Sequence, residues 1–196
     1  PLTLVLPRRA DCGLSLLVSA GLDTVAIRVP DAPVTQALLR RFNGPVAAPS
    51  ANRSGHVSPT LAAHVVTELG ERVAMILDDG PCRAGVESTI VKVDQDRLYL
   101  LRPGPITPAE LEAATGLPVQ TGLPVQMPGE EHTNQPVAPG QLESHYAPRA
   151  HLRLNADRAE PGEALLAFGP DAPKSEHMLS LSESGDLREA AANLFA

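Results

Sequence analysis

Proline sets the terms on which this chain folds. It occupies 20 of 196 positions, about twice its usual share of roughly 5%. Each proline fixes φ, removes a backbone donor and is excluded from helix interiors and central strands. Regular elements must therefore be short and bounded. The 15 Gly bring the two residue types to 35 of 196, about 18% and below the roughly 25–30% of low-complexity disorder. With 43% hydrophobic residues, a packed core is within reach, and the length suits one domain with an appendage or two small ones. The prolines are thus expected to punctuate ordered elements.

Between them the pattern alternates strand and helix. Residues 2–6 and 24–29 are aliphatic and β-branched runs, the second closed by Pro30. Residues 33–42 carry apolar positions at helical spacing, with Asp31 as a possible cap. A short buried strand is expected over 46–48, then a small polar loop over 50–59. Ser58 as cap and Pro59 at the first helical position predict a helix over 60–69, stopped by Gly70. A strand over 73–77 leads into the turn Asp78-Asp79-Gly80. Residues 87–93 and 97–101 read as a hairpin, and Thr107 with Glu110 as a capping box opening a helix that ends at Gly116. The expected fold class is α/β with a mixed sheet.

Residues 117–148 change character. Six of these 32 are Pro, and Thr-Gly-Leu-Pro-Val-Gln occurs twice in tandem, at 115–120 and 121–126. This reads as a linker carrying a slippage duplication. Beyond it, 151–154 alternates like a strand, 163–168 is an apolar run and 187–195 a helix. The expected organisation is a domain over 1–116, a Pro-rich linker over 117–148, and the start of a second α/β domain over 149–196. The chain opens within a strand without Met and closes within a helix, so it reads as a piece of a longer protein.

Several function classes are excluded. The net charge of −7 is uneven: residues 1–116 hold 11 basic against 12 acidic side chains, and residues 117–196 hold 5 against 11. Such a chain is a poor general polyanion binder, although a local basic pocket in the first part stays open. With three Phe, two Tyr and no Trp, there is no base-stacking surface. No apolar run approaches the roughly 20 residues of a membrane span. Cys12 and Cys82 are too few for a disulfide framework and read as reduced thiols of a cytosolic protein. The six His are scattered, so no metal site is expected. Asp78-Asp79 reads as a solvated turn. A hydrolase triad of Ser50, His56 and Asp78 lacks the nucleophile elbow.

Four segments have chemical potential. Ala48-Pro-Ser-Ala-Asn-Arg-Ser-Gly55 lies between a strand and a helix start, where α/β folds bind ligands and free N–H groups favour phosphate. Seen alone, it is also an ordinary polar loop. Thr24 and Arg28 share one strand face, as an anion contact or as half of an ion pair. Gly85-Val-Glu-Ser-Thr-Ile90 brings small polar residues into a strand. Leu101-Arg-Pro-Gly-Pro105 sets Arg102 in a stiff turn, or is a plain surface turn.

Together these segments, with Ser58-Pro-Thr60, occur in an order and spacing that closely resembles the YrdC-like threonylcarbamoyl-AMP synthases. The likeness runs almost continuously over residues 1–116. Ala138-Pro-Gly-Gln-Leu-Glu-Ser-His-Tyr-Ala-Pro148 resembles the linker signature of the longer, two-domain members. The resemblance implies a twisted α/β sheet around a wide basic cavity. It implies synthesis of threonylcarbamoyl-adenylate and pyrophosphate from L-threonine, bicarbonate and ATP. A partner enzyme then transfers the threonylcarbamoyl group to tRNA in the cytoplasm. It assigns Arg28, Ser50 and Ser88 to threonine or carbamate, and Thr24, Asn52, Thr60 and Arg102 to ATP. Tyr146 would fold back over the nucleotide, with Mg2+ carried by the phosphates. No acid–base residue is required, because positioning carries most of the reaction. The family's upstream Lys-x-Arg motif is missing, so these residues alone are expected to make no product. Two alternatives differ in class: a non-catalytic module of the same fold that binds double-stranded RNA or tRNA weakly, and the related domain of hydrogenase-maturation carbamoyltransferases, whose zinc-binding Cys clusters are missing here.

Overall fold

The computed structural model describes residues 2–122 and 150–195. They fall into two compact units. One holds residues 2–49 and 87–122, the other residues 50–86 and 150–195.

The first unit is built on a mixed five-stranded sheet. Its strands are β1 (Leu2–Pro7), β2 (Thr24–Arg28), β3 (Thr89–Val93), β4 (Leu98–Arg102) and β5 (Val119–Thr121), in the order β2-β1-β3-β4-β5. β1 runs antiparallel to β2 and parallel to β3. β3 and β4 form the expected hairpin, and β5 joins β4 in parallel. Period-2 alternation divides the apolar residues between the sheet faces. Val91, Leu98, Leu100 and Leu111 form one cluster, packed by Leu2, Leu4, Ile106 and Val119. Val5 and Ile90 form a second, against Leu101. Thr89, Ile90 and Val91 are all fully buried, as a central strand requires. Each such aliphatic side chain stabilises the fold by roughly 1.5–3 kcal/mol.

Two helices complete this unit. Helix α1 (Pro33–Phe42) starts with Pro at its first turn and ends at Asn43 in the left-handed region. Its N-cap is Ala32, without a side-chain bond, so Asp31 does not fill that role. Helix α3 (Pro108–Thr115) has the expected capping box. The Glu110 backbone N–H donates to Thr107 Oγ1, and the Thr107 N–H donates to the Glu110 carboxylate at 2.8 Å. Gly116, at φ 71°, ends the helix.

The second unit contains helix α2 (Ala62–Leu69), the parallel pair β6 (Leu165–Phe168) and β7 (Met178–Ser182), and helix α4 (Leu187–Asn193). Asp186 caps α4 by accepting from the N–H groups of Arg188 and Glu189.

Four local expectations fail for physical reasons. Residues 46–48 form no strand, because Pro45 and Pro49 bracket them and remove ladder donors. Residues 73–77 and 151–154 are also irregular, with Met75, Leu77, Leu152 and Leu154 exposed. The apolar run 73–77 and the alternating 151–154 have no partner strand among the described residues. Helix α2 starts at Ala62 after Leu61, so Ser58 and Pro59 do not open it. The Thr60 carbonyl instead accepts from Cys82 N–H at 2.9 Å, and its N–H donates to His64 Nδ1 at 3.4 Å. Both contacts hold residue 60 outside the helix. β5 lies at the start of the Pro-rich stretch, and β7 went unread because its Met-Leu-Ser-Leu-Ser pattern resembles a polar loop.

Candidate functional site

One row of polar side chains crosses four adjacent strands of the first unit. Arg28 ends β2, and its Cα partner across the antiparallel ladder is Thr3 of β1. Arg28 Nε donates to Thr3 Oγ1 at 2.9 Å. Thr3 Oγ1 shares a 2.8 Å hydrogen bond with Ser88 Oγ, on the residue that leads into β3. Arg102, at the end of β4, donates from Nε and Nη2 to the Ser88 carbonyl at 3.1 and 2.9 Å. Its Nη2 also reaches Ser88 Oγ at 3.1 Å. Glu87 closes the row with a 3.4 Å ion pair to Arg102 Nη2. Thr3 and Ser88 are buried, whereas Arg28 is exposed.

The sheet makes this row out of residues distant in sequence. β1 alternates, so Thr3 and Val5 point into the buried face. Period-2 geometry then aligns a hydroxyl with the Arg of the neighbouring strand. The turn after β4 fixes the other end. Thr89 Oγ1 donates to the Ile106 carbonyl at 2.9 Å and accepts from Ile106 N–H at 3.0 Å. Between these anchors Gly104 lies flat against the entry to β3. A Cβ there would come within 2.3 Å of Thr89 N and 2.6 Å of Glu87 O. Only glycine admits that approach. The Arg102-Pro-Gly-Pro turn is therefore a clamp on residues 87–89.

Of the residues expected from sequence, Arg28, Ser88 and Arg102 meet here. Thr24 opens the same strand as Arg28 and is half-buried. Two guanidinium groups flank two hydroxyls, a donor-rich set suited to anions. Arg102 has one planar edge committed to the Ser88 carbonyl. Among the described residues, Arg28 engages only its Nε, on Thr3 Oγ1.

Ser50, Asn52 and Thr60 belong to the second unit. Ser50 is exposed. Asn52 turns its amide inward, donating from Nδ2 to the carbonyls of Arg53 and His56 at 2.9 Å each. Its buried Oδ1 has no hydrogen-bond partner among the described residues. Thr60 is buried and its Oγ1 donates to the Phe195 carbonyl at 3.2 Å. Glu68 of α2 pins this loop: it accepts from Arg53 Nε and bonds His56 Nδ1, each at 3.1 Å. The Arg53 guanidinium holds the Glu68 carboxyl below its ordinary range. Tyr146 lies outside the described residues. Among the described residues no three His, Cys, Asp or Glu gather as metal ligands. Asp78 Oδ1 accepts from Gly80 N–H at 2.9 Å, the expected turn, and both Cys are free thiols. No helix among them is long and apolar enough to cross a membrane.

Sequence reasoning missed Thr3 and Glu87. Thr3 left a signal, a hydroxyl at a buried position of an alternating aliphatic strand. Glu87 left none, because its pairing depends on the 102–105 turn.

A family model covering the Sua5, YciO and YrdC proteins, described as "Telomere recombination", matches residues 1–104. A second, described as "Threonylcarbamoyl-AMP synthase, C-terminal domain", matches residues 106–196. A threonylcarbamoyl-AMP synthase from Bacillus subtilis is 47% identical over 78% of this chain and 42% of its own length. One from Schizosaccharomyces pombe is 39% identical over 82% of this chain and 40% of its own length. The crystal structure of Pyrococcus abyssi Sua5 complexed with L-threonine superimposes with a TM-score of 0.76 at 32% identity, over 99% of this chain and 59% of that one. The chain thus spans about half the length of the relatives it matches. A family model that covers more than half of the chain, over the residues that build the polar row, settles the kinship: the chain belongs to the Sua5/YciO/YrdC family.

Proposed function

We propose that the protein carrying this chain is a threonylcarbamoyl-AMP synthase, an adenylyl-transferring enzyme of tRNA modification in the cytoplasm. The observation that carries this reading is the Arg28–Thr3–Ser88–Arg102 row. It is a donor-rich array for anions, and carboxylate, carbamate and phosphate are the anions this reaction handles. The similarity to relatives of that name and to a threonine-bound Sua5 supports it.

In this reading Arg28, Ser50 and Ser88 hold threonine and its carbamate. Thr24, Asn52, Thr60, Arg102 and Tyr146 hold ATP. By domain, 1–116 is assigned to catalysis, 117–148 to a linker whose first residues form β5 of the sheet, and 149–196 to the start of a second domain. The unprotonated amine of threonine adds to bicarbonate-derived carbon dioxide and forms a carbamate, with loss of water from bicarbonate. A carbamate oxygen then attacks the α-phosphorus of ATP. The bond from that phosphorus to the bridging oxygen breaks, and pyrophosphate leaves. Charge grows on phosphoryl oxygens, where fixed guanidinium and N–H donors stabilise it most in a dry site. The row's hydroxyls and guanidiniums suit phosphate oxygens and not a bare cation, so magnesium arrives with the nucleotide and screens its phosphates. Transfer to tRNA is the work of a separate enzyme.

The test is direct. The intact protein is given ATP, threonine and bicarbonate, and pyrophosphate and threonylcarbamoyl-adenylate are followed by mass spectrometry. Product that requires all three substrates is expected. Retention of double-stranded RNA with no ATP binding would favour the binding-module alternative.

A further inference from the structure

We infer that Thr3 is a positioning residue for the amino-acid end of the site, and that it dictates the direction from which a carboxylate meets Arg28. The inference rests on the reading of this site as a threonine site.

A guanidinium offers a carboxylate two planar edges: the side edge, Nε with one Nη, and the end edge, the two Nη groups. An arginine at the end of an edge strand would otherwise use either, and its long side chain would sample many rotamers. In this structure Arg28 Nε is taken by Thr3 Oγ1 at 2.9 Å. That bond removes the side edge and leaves the end edge. It also anchors an otherwise exposed side chain to a buried hydroxyl, since Thr3 is only 5% exposed. Thr3 itself cannot wander, because β1 holds it between β2 and β3.

The same oxygen is tied to Ser88 Oγ at 2.8 Å. Proton counting shows what that does. Ser88 Oγ also lies 3.1 Å from the Arg102 Nη2 donor. Two hydroxyls share one bond, so one of their two protons is used between them. Whichever hydroxyl donates, the pair retains one O–H and one lone pair. Thr3 therefore couples Arg28 to Ser88 and sets the direction of the remaining donor. A substitution at Thr3 loosens both groups together while touching neither the nucleotide nor the reacting phosphorus.

The experiment compares Thr3→Val, which keeps the shape and deletes the hydroxyl, with Thr3→Ser, which keeps the hydroxyl, in the intact protein. For Thr3→Val the threonine KM is expected to rise about tenfold, the loss of a charge-assisted hydrogen bond, while the ATP KM and kcat change by less than about twofold. Thr3→Ser is expected to recover most of that loss. An unchanged threonine KM in folded Thr3→Val, or equal losses for both substrates, overturns the inference. Should Thr3→Val not fold, hydrogen exchange at Arg28 Nε in the unsubstituted protein decides. Protection relative to the Nε–H of free arginine in solution is expected, and exchange at that free rate overturns the inference. Failure of the underlying reading looks different: the unsubstituted protein then makes no threonylcarbamoyl-adenylate at all.

Discussion

At the scale of single residues, the two arginines of the row differ in what they have left to offer. Arg102 lends an edge to the Ser88 carbonyl, so its removal loosens the chain entering β3 as well as any ligand. Among the described residues, the Arg28 guanidinium is held through Nε alone, on Thr3 Oγ1. In the intact protein Arg28→Ala should raise the threonine KM about 10- to 100-fold, with a much smaller change for ATP. Steady-state kinetics with each substrate varied checks this, and the reverse pattern shows Arg28 to be misassigned. A second residue-scale expectation concerns Glu163. The Arg153 guanidinium beside it, with the Glu160 N–H, pulls its carboxyl down to about 2 from 4.5. A depressed carboxyl contributes stability above its ordinary value and loses it as pH falls through the folded value. Carbon-13 shifts should therefore place the Glu163 midpoint near 2 in the folded chain. Arg153→Gln should move that midpoint up toward 4.5, and an unmoved midpoint would rule out Arg153 as the cause.

Among the elements, those with local chemistry behave as their sequences say. Thr107 and Glu110 cap α3 reciprocally, so Thr107→Ala should cost about 1 kcal/mol in urea unfolding. An unchanged midpoint would mean that the box contributes nothing. Gly104→Ala should cost about 1–3 kcal/mol, because backbone atoms must move to admit a methyl group. A fully stable Gly104→Ala would show the turn to be pliant. Both positions also mark how far the sequence can be read. The Thr107-Pro-Ala-Glu110 box and the β3–β4 hairpin are legible because partners lie within a few residues. The same holds for β1, β2 and α1, whose periodicity is strong. Residues 46–48 mislead because prolines bracket them, and the apolar run 73–77 and the alternating 151–154 mislead because such patterns form a strand only when another strand lies beside them. The site is legible in part. Arg28, Ser88 and Arg102 stand out as polar residues at strand ends, but that the Thr3 hydroxyl joins them is legible only once β1 is paired with β2 and β3.

On the scale of the whole molecule, charge and topology carry the argument. With net charge −7, the chain should retain double-stranded RNA only weakly at physiological salt, and any retention should fall steeply as salt rises. Filter binding across a salt series measures this. Tight, salt-resistant retention would return the binding-module alternative to the front. Topology has a different consequence. The hydrogen bond between Thr3 and Ser88 joins positions 85 residues apart. Arg28 joins Thr3 across the β1–β2 ladder and Arg102 joins Ser88 beside the β3–β4 hairpin, so the pairing of β1 with β3 is what unites the two halves of the row. On a ribosome, the first of these side chains emerges long before the last, and for that interval the row does not exist. Non-local, parallel pairing is also the slow step of a folding chain. Recognition therefore matures late. A nascent chain that already holds α1 and the β1–β2 ladder has no assembled anion row to offer, and the row arrives in one event when β3 docks.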